Sequence, residues 1–152
     1  MGGMGVVYRA HDTLLDREVA LKLVRPRQDE EPSADEAERL LREARAVARV
    51  RHPSLITVYD AGELQGRVFM AMELIEGQTL RAFARERTQA AVLQAYLHAG
   101  AGLHAAHEAG IVHGDFKPDN VLCGGGRVVV TDFGLARARF ALDEGPGESG
   151  GG

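Results

Sequence analysis

The chain has 152 residues, of which 45% are hydrophobic and 26% are charged, a composition that excludes fibrous and disordered proteins. Its 18 basic and 22 acidic side chains give a net charge of −4, which argues against a nucleic-acid-binding surface. The single cysteine, Cys123, cannot form an internal disulfide, and no apolar run reaches the length of a membrane span. We therefore expect a cytoplasmic protein without a membrane segment in this chain.

The chain opens with closely spaced glycines, Gly2, Gly3 and Gly5, directly before a β-type run that begins at Val6 and Val7. Glycine has no Cβ, so backbone N–H groups in such a loop can approach phosphate oxygens closely. A flexible glycine-rich terminus would have the same composition. Both interpretations are open at this point in the chain.

A strand over residues 18–24 and a helix after it are expected next. Lys22 points opposite to its apolar neighbours in the strand. Ser33 and Glu36 have the spacing of a capping box, which predicts a helix start. Glu43 lies along the edge of the apolar stripe of this helix, where it could be a solvated charge or the partner of a lysine. The stripe consists of Ala37, Leu40, Leu41, Ala44, Val47 and Ala48.

Two more strands are expected over residues 55–60 and 67–73, joined by a turn around Gly62 and Gly66. A short helix over residues 79–87 should follow them.

A long helix is predicted over residues 89–109, with Gly110 as its terminator. Large apolar residues recur along one side of it. We expect this side to need a covering surface, because a bare apolar face of this size promotes aggregation. The residues along that side are Leu93, Tyr96, Leu97, Gly100, Leu103 and His107.

The stretch that reads HGDFKPDN and then, after a short strand, TDFG concentrates the candidate chemistry. Asp115, Asn120 and Asp132 supply carboxylate and carbonyl oxygens, which suit hard divalent cations such as magnesium. Asp115 with Lys117 two residues later provides a proton acceptor beside a charge neutraliser, as phosphoryl transfer requires. The apolar run over 128–130 predicts a strand that delivers Asp132 to the site.

These motifs resemble, in the correct order, those of the protein kinase superfamily: GGMGVV, VALK, a helix carrying Glu43, MELIEG, HGDFKPDN and DFGLAR. Lys117 is typical of the serine/threonine branch, and GGMGVVYRAHD with RHPSLITVYDAG is most similar to the bacterial enzymes of that branch. The resemblance implies an α+β, two-lobed protein kinase-like fold. Its expected parts are an N-terminal lobe and hinge over 1–75, a partial C-terminal lobe over 76–140 and a disordered tail over 141–152.

The resemblance also implies roles for individual residues. Asp115 would accept the proton of a protein hydroxyl, and Lys117 would neutralise charge on the transferred group. Lys22, fixed by Glu43, would position the phosphates of ATP. The implied magnesium ligands are Asn120 and Asp132, and the implied nucleotide contacts are Gly2, Gly3, Gly5, Val7, Ala20, Lys22, Met72, Glu73, Ile75 and Leu122.

The run MAMELIEG resembles the hinge between the two kinase lobes. On this alignment Met72 guards the back of the adenine pocket, and the backbone from Glu73 to Ile75 faces the adenine edge. Met70 and Met72 could equally be core fillers, which is compatible with that role.

Two alternative interpretations follow from the same residues. HGD followed by an asparagine also resembles small-molecule phosphotransferases of the aminoglycoside and choline kinase type. The chain is expected to begin inside the glycine-rich motif and to stop before the A-P-E motif, so a non-catalytic ATP-binding or interaction fragment, or a truncated gene product, is a further interpretation. A full-length relative could be membrane-anchored.

The partners that the resemblance implies are ATP with Mg²⁺ and a protein substrate bearing serine or threonine.

Gly114 stands where the H-R-D motif of the family has arginine. That arginine normally pairs with a phosphate on the activation loop. The segment over 135–152 has one hydroxyl side chain, Ser149. We therefore predict activity that does not depend on phosphorylation of this segment.

Overall fold

The computed structural model describes residues 6–24 and 33–133. The glycine-rich start, Gly134 and the predicted tail over 141–152 lie outside the described residues. The elements in chain order are strands β1 (Val6–Asp12) and β2 (Arg17–Leu23), helix α1 (Ala34–Ala48), strands β3 (Val58–Leu64), β4 (Arg67–Glu73) and β5 (Gln78–Thr79), helices α2 (Leu80–Glu86) and α3 (Gln89–Glu108), and strands β6 (Val121–Gly124) and β7 (Arg127–Val130).

The first four strands form one antiparallel sheet in the order β1-β2-β4-β3. Strand β2 is therefore an interior strand, and Lys22 pairs in register with Met70 of β4. Helix α1 packs against β3 and β4. This arrangement encloses the side chain of Lys22, which is only 3% exposed.

Local signals in the sequence correctly predict α1. The Ser33 hydroxyl accepts a hydrogen bond from the backbone N–H of Glu36 at 3.3 Å, so it supplies the predicted N-cap. Acidic residues occupy the first turn, where the helix dipole favours them. The buried residues of the helix all belong to the predicted apolar stripe: Ala37, Leu40, Ala44 and Val47.

The predicted bounds of β3 were wrong at both ends. The strand begins at Val58 and continues to Leu64, so Gly62 lies inside it and not in a turn. A Cβ at Gly62 would come within 2.9 Å of the Phe69 ring, so a larger residue at this position would require that ring to move. The turn itself uses Gln65 and Gly66, both with positive φ.

The residues just before β3 pair with the second sheet. The backbone N–H of Ile56 donates to the carbonyl of Val130 at 3.0 Å, and the N–H of Val130 donates to the carbonyl of Ser54 at 2.9 Å. Leu55 and Val130 form a parallel bridge between these two bonds. The connection from α1 to β3 therefore links the four-stranded sheet to the three-stranded sheet β5-β6-β7.

Both later helices begin at the predicted places. Thr79 caps α2, and Thr88 caps α3 by accepting the N–H of Ala91 at 3.2 Å. Helix α3 ends as predicted at Gly110, whose φ of +77° favours glycine. The N–H of Ile111 then donates to the carbonyl of Ala106 at 2.9 Å, which completes a Schellman cap.

Most buried apolar side chains of both sheets, α1 and α3 form one core, and Ala37 and Leu40 of α1 form a smaller cluster with Val68 of β4. The fully buried members of the larger core include Leu55, Leu80, Val121, Val129 and Val130. In the part of the chain that the structure describes, no helix has the length and apolar character needed to cross a membrane.

Candidate active site

A buried lysine and a carboxylate from opposite ends of the chain meet at the centre of the site. The Nζ of Lys22 contacts the Oδ1 of Asp132, 110 residues further along the chain. Lys22 is 3% exposed, and an ammonium group that has left water needs such a partner. The two predicted site residues are therefore brought together as an ion pair.

Asp132 follows β7 and has a φ of +62°, in the left-handed region. This conformation costs a residue with a Cβ about 1–2 kcal/mol. Such a residue is retained where the surrounding structure holds it, and these positions cluster at functional sites. Asp16 and Gln65 share this conformation but lie in the turns between paired strands, whereas Asp132 adopts it beside the buried Lys22.

The second group of predicted residues lies on the loop before β6. The Nζ of Lys117 is 3.3 Å from the Oδ2 of Asp115. The side-chain amide of Asn120 donates to the backbone carbonyl of Asp115 at 2.8 Å and to its carboxylate at 3.4 Å. Asn120 is buried, whereas Asp115 and Lys117 are partly exposed and can meet a substrate.

His113 connects the loop of Asp115 with the segment of Asp132. Its Nδ1 accepts the backbone N–H of Asp115 at 3.2 Å, so the ring proton lies on Nε2, which donates to the carbonyl of Thr131 at 2.7 Å. Its ring packs edge-on against Phe133, with the ring centroids 4.5 Å apart. Burial lowers the pKa of His113 below its ordinary value, so the neutral form makes these contacts.

Asn120 and the Asp132 segment are also joined through the backbone. The N–H of Thr131 donates to the carbonyl of Asn120 at 2.9 Å. Because the amide nitrogen of Asn120 is used as a donor to Asp115, its Oδ1 is the atom suited to bind a cation. The Asp132 carboxylate is a second oxygen donor of the type that Mg²⁺ binds.

A small cavity adjoins the ion pair between the four-stranded sheet, α1 and the Asp132–Phe133 segment. Met72, 5% exposed, lies in its wall, so this residue both fills the core and lines the cavity. The lining residues are Lys22, Val47, Ile56, Val58, Met70, Met72, Asp132 and Phe133.

The other residues predicted to contact a nucleotide differ in their exposure to solvent. Val7 is 57% exposed on β1, and Ala20 is buried on β2. Ile75 after β4 and Leu122 on β6 are partly buried. Their contacts with a nucleotide stay predictions. Gly2, Gly3 and Gly5 lie outside the described residues.

Glu43 is partly buried on α1. Its pairing with Lys22 stays a prediction, since the ion pair that the structure gives Lys22 is with Asp132. The segment that contains Ser149 lies outside the described residues, and the independence from its phosphorylation stays a prediction.

Sequence reasoning missed the side-chain environment of Glu73. Its carboxylate binds Arg127, at 2.7 Å from Nη1, and accepts the backbone N–H of Thr57 at 2.9 Å. The sequence attributed only a backbone role to Glu73 and none to Arg127. No local pattern signals a contact between residues so far apart, and a lone arginine in a strand has the pattern of a surface residue.

Comparisons with known proteins agree with this arrangement. A family profile described as "Protein kinase domain" matches residues 1–141. The serine/threonine-protein kinase PknL of Mycobacterium tuberculosis is 46% identical over 146 residues, which cover 90% of this chain and 35% of PknL. The probable serine/threonine-protein kinase PknA2 of Bifidobacterium longum is 39% identical over 142 residues, which cover 90% of this chain and 19% of that protein.

Solved structures show the same relationship. A variant of the PknI kinase domain of Mycobacterium tuberculosis matches with a TM-score of 0.76 and 30% identity, over 90% of this chain and 56% of that one. The chain therefore spans about a third or less of these two curated relatives and little more than half of a solved kinase domain. With a family profile that matches most of its length, the chain belongs to the protein kinase domain family.

Proposed function

We propose that the chain carries the catalytic residues of a serine/threonine protein kinase, which transfers the γ-phosphoryl group of ATP to a protein hydroxyl. One observation carries this function: the Lys22–Asp132 ion pair adjoins a loop in which Asp115, Lys117 and Asn120 contact one another. Its relatives PknL and PknA2 are named serine/threonine-protein kinases, which supports the same substrate class.

In the proposed reaction, Asp115 accepts the proton of the attacking serine or threonine hydroxyl. The hydroxyl oxygen forms a bond to the γ-phosphorus, and the bond from that phosphorus to the β–γ bridging oxygen breaks, so ADP leaves. Lys117, 3.3 Å from Asp115, neutralises negative charge beside the proton acceptor. The hydrogen bonds from Asn120 orient Asp115 for this step.

Asp132 and the Oδ1 of Asn120 are the proposed magnesium ligands, and a bound Mg²⁺ would neutralise charge on the phosphates of ATP. Lys22 supplies a fixed positive charge for those phosphates. Because Lys22 is buried on an interior strand, its ammonium group stays at the edge of the site. His113 holds the segments of Asp115 and Asp132 together, because each of its ring nitrogens forms a hydrogen bond to one of them.

Phosphoryl transfer to a generic basic protein tests this function. We expect the 152-residue chain alone to transfer labelled γ-phosphate only weakly, and Asp115→Asn to lower that rate about 100-fold or more, because the amide cannot accept the proton. Asp16→Asn is the matched control. Asp16 lies in the exposed turn between β1 and β2 with a φ of +49°, which asparagine also adopts readily.

The alternatives predict different results. Binding of Mg-ATP without any transfer would favour a non-catalytic ATP-binding fragment. Transfer to an aminoglycoside or choline but not to protein would favour a small-molecule phosphotransferase. Transfer to protein that survives Asp115→Asn unchanged would rule out the assigned proton acceptor.

A further inference from the structure

A forked arginine joins three segments behind the predicted hinge. The Nη1 of Arg127 on β7 donates to the Oε2 of Glu73 at 2.7 Å, and its Nη2 donates to the Oε1 at 3.3 Å. The same guanidinium donates to the backbone carbonyl of Pro53 from Nη2 at 2.9 Å and from Nε at 3.2 Å. One side chain thus ties the second sheet to the last residue of β4 and to the loop after α1.

Thr57 completes this network. Its backbone N–H donates to the Oε1 of Glu73 at 2.9 Å, and its carbonyl accepts the backbone N–H of Glu73 at 2.9 Å. Glu73 is therefore held by both its main chain and its side chain. We call Arg127, Glu73, Thr57 and Pro53 the hinge clasp.

The clasp is partly shielded from water, which strengthens it. The side chain of Glu73 is 13% exposed and that of Arg127 is 39% exposed. Burial alone would raise the pKa of Glu73, but the hydrogen bonds from Arg127 and Thr57 outweigh burial and hold that pKa below its ordinary value. A bidentate contact also fixes the orientation of the carboxylate relative to the guanidinium, which a single ammonium group does not do.

The turn before Arg127 explains how it reaches this position. Gly125 and Gly126 both have positive φ, at +58° and +72°, and they connect Gly124 to its register partner Arg127. This two-residue hairpin matches the type I′ turn, which needs residues that tolerate a positive φ at both central positions. The glycine pair therefore sets the register that directs Arg127 at the clasp.

The exit of the hinge is held against the same hairpin by a second contact. A Cβ on Gly77 would lie 2.1 Å from the carbonyl oxygen of Cys123, and a Cβ on Gly124 would lie 2.1 Å from that of Glu76. The two backbones therefore run in direct contact. Residues 74–76 are thus fixed at one end by the clasp and at the other by this glycine contact.

We propose that Arg127 is a positioning residue, which holds the backbone that begins at Glu73 in the geometry needed to bind a nucleotide. This rests on the proposed kinase function, in which the backbone from Glu73 to Ile75 meets the adenine edge. Arg127 itself acts from behind the hinge, through the carboxylate of Glu73. A backbone already fixed before binding loses less conformational entropy when the nucleotide binds.

Amide hydrogen exchange of the nucleotide-free chain tests the clasp without relying on any activity. In Arg127→Ala we expect amide exchange at Thr57 and Glu73 to accelerate about tenfold or more. Without Arg127, the hydrogen bonds that these two backbone N–H groups donate should open more often. Arg127→Lys should give an intermediate rate, since it retains the charge without the fork. Arg42→Ala is the control, because its partner Glu38 and Arg42 itself are both more than 70% exposed on α1.

Binding of Mg-ATP then tests the positioning role. We expect the Kd of Arg127→Ala to rise about fivefold and that of Arg127→Lys to rise less, while Arg42→Ala stays at the wild-type value. In a transfer assay the KM for ATP should rise and kcat should stay within about twofold, since Asp115 and Lys117 are untouched.

The outcomes are distinguishable. Unchanged exchange around Thr57 and Glu73 in Arg127→Ala would overturn the clasp, and faster exchange with an unchanged Kd would overturn the positioning role. If the wild-type chain binds no Mg-ATP, the proposed kinase function fails, and hydrogen exchange alone still decides whether Arg127 holds the hinge. If Arg127→Ala does not fold, Arg127→Lys provides the same two measurements.

Discussion

Helices α1 and α3 bury different kinds of side chain. In α1 the buried face includes Leu40 and Val47, at 4% exposure each. In α3 the buried residues are small, while the large apolar residues Leu93 and Leu97 are 59% and 56% exposed. The buried residues of α3 are Ala95, Ala99, Gly102 and Ala106.

The difference shows that apolar character alone does not decide which face of a helix is buried. Helix α3 packs against β7 and the backbone near Ser54, where only small side chains leave enough room. The predicted apolar side of α3 is real in composition, but most of it is exposed in the described part of the chain, as expected for a face that needs a covering surface. In α1 the apolar stripe and the buried face coincide.

Removing a large apolar side chain should give the largest difference in stability between the two helices. Leu40→Ala in α1 should lower the free energy of unfolding by about 2–5 kcal/mol, because it leaves a cavity in the core. Leu97→Ala in α3 should change it by less than about 0.5 kcal/mol, because Leu97 is already exposed. Urea unfolding followed by circular dichroism measures both. Equal losses in the two variants would show that a surface covers α3 in solution.

The sequence predictions succeeded where the signal is local and missed contacts that depend on tertiary structure. The cap and stripe of α1 were predictable because Ser33 and Glu36 signal a helix start locally, and the contact between Asp115 and Lys117 was predictable because both lie in one contiguous motif. The contact of Lys22 with Asp132 and the clasp at Arg127 depend on tertiary structure. No periodicity in the sequence specifies such contacts.

Glycines show the same limit, since their sequence signal is ambiguous. The sequence predicts Gly62 in a turn, yet it lies in β3, where it pairs with Phe69 of β4. Gly110 was correctly predicted as a terminator because it follows a long periodic helix. Whether a glycine serves a turn, a cap or a close approach depends on what packs against it.

Substitution of Gly102, on the buried face of α3, should have the next largest effect on stability. A Cβ at Gly102 would lie 2.5 Å from the backbone carbonyl oxygen of Ser54. Gly102→Ala should therefore destabilise the chain by about 1–3 kcal/mol, because α3 or the Ser54 segment must move. The segment of Ser54 pairs with Val130, so the shift should also appear as faster amide exchange in β7. An unchanged unfolding midpoint would mean that α3 does not pack closely here.

The matched substitution two residues earlier should have a smaller effect than Gly102→Ala, with the opposite sign. Gly100 lies on the exposed side of α3, and an added Cβ would meet no atom within 4 Å. Alanine loses less backbone entropy than glycine when a helix forms, so Gly100→Ala should raise the free energy of unfolding by about 0.5–1 kcal/mol. The same urea titration as for Gly102→Ala measures this difference. Because the two variants make the same chemical change in one helix, opposite signs would isolate close packing as the cause. Destabilisation by Gly100→Ala would instead indicate that a surface approaches the exposed face as closely as Ser54 approaches Gly102.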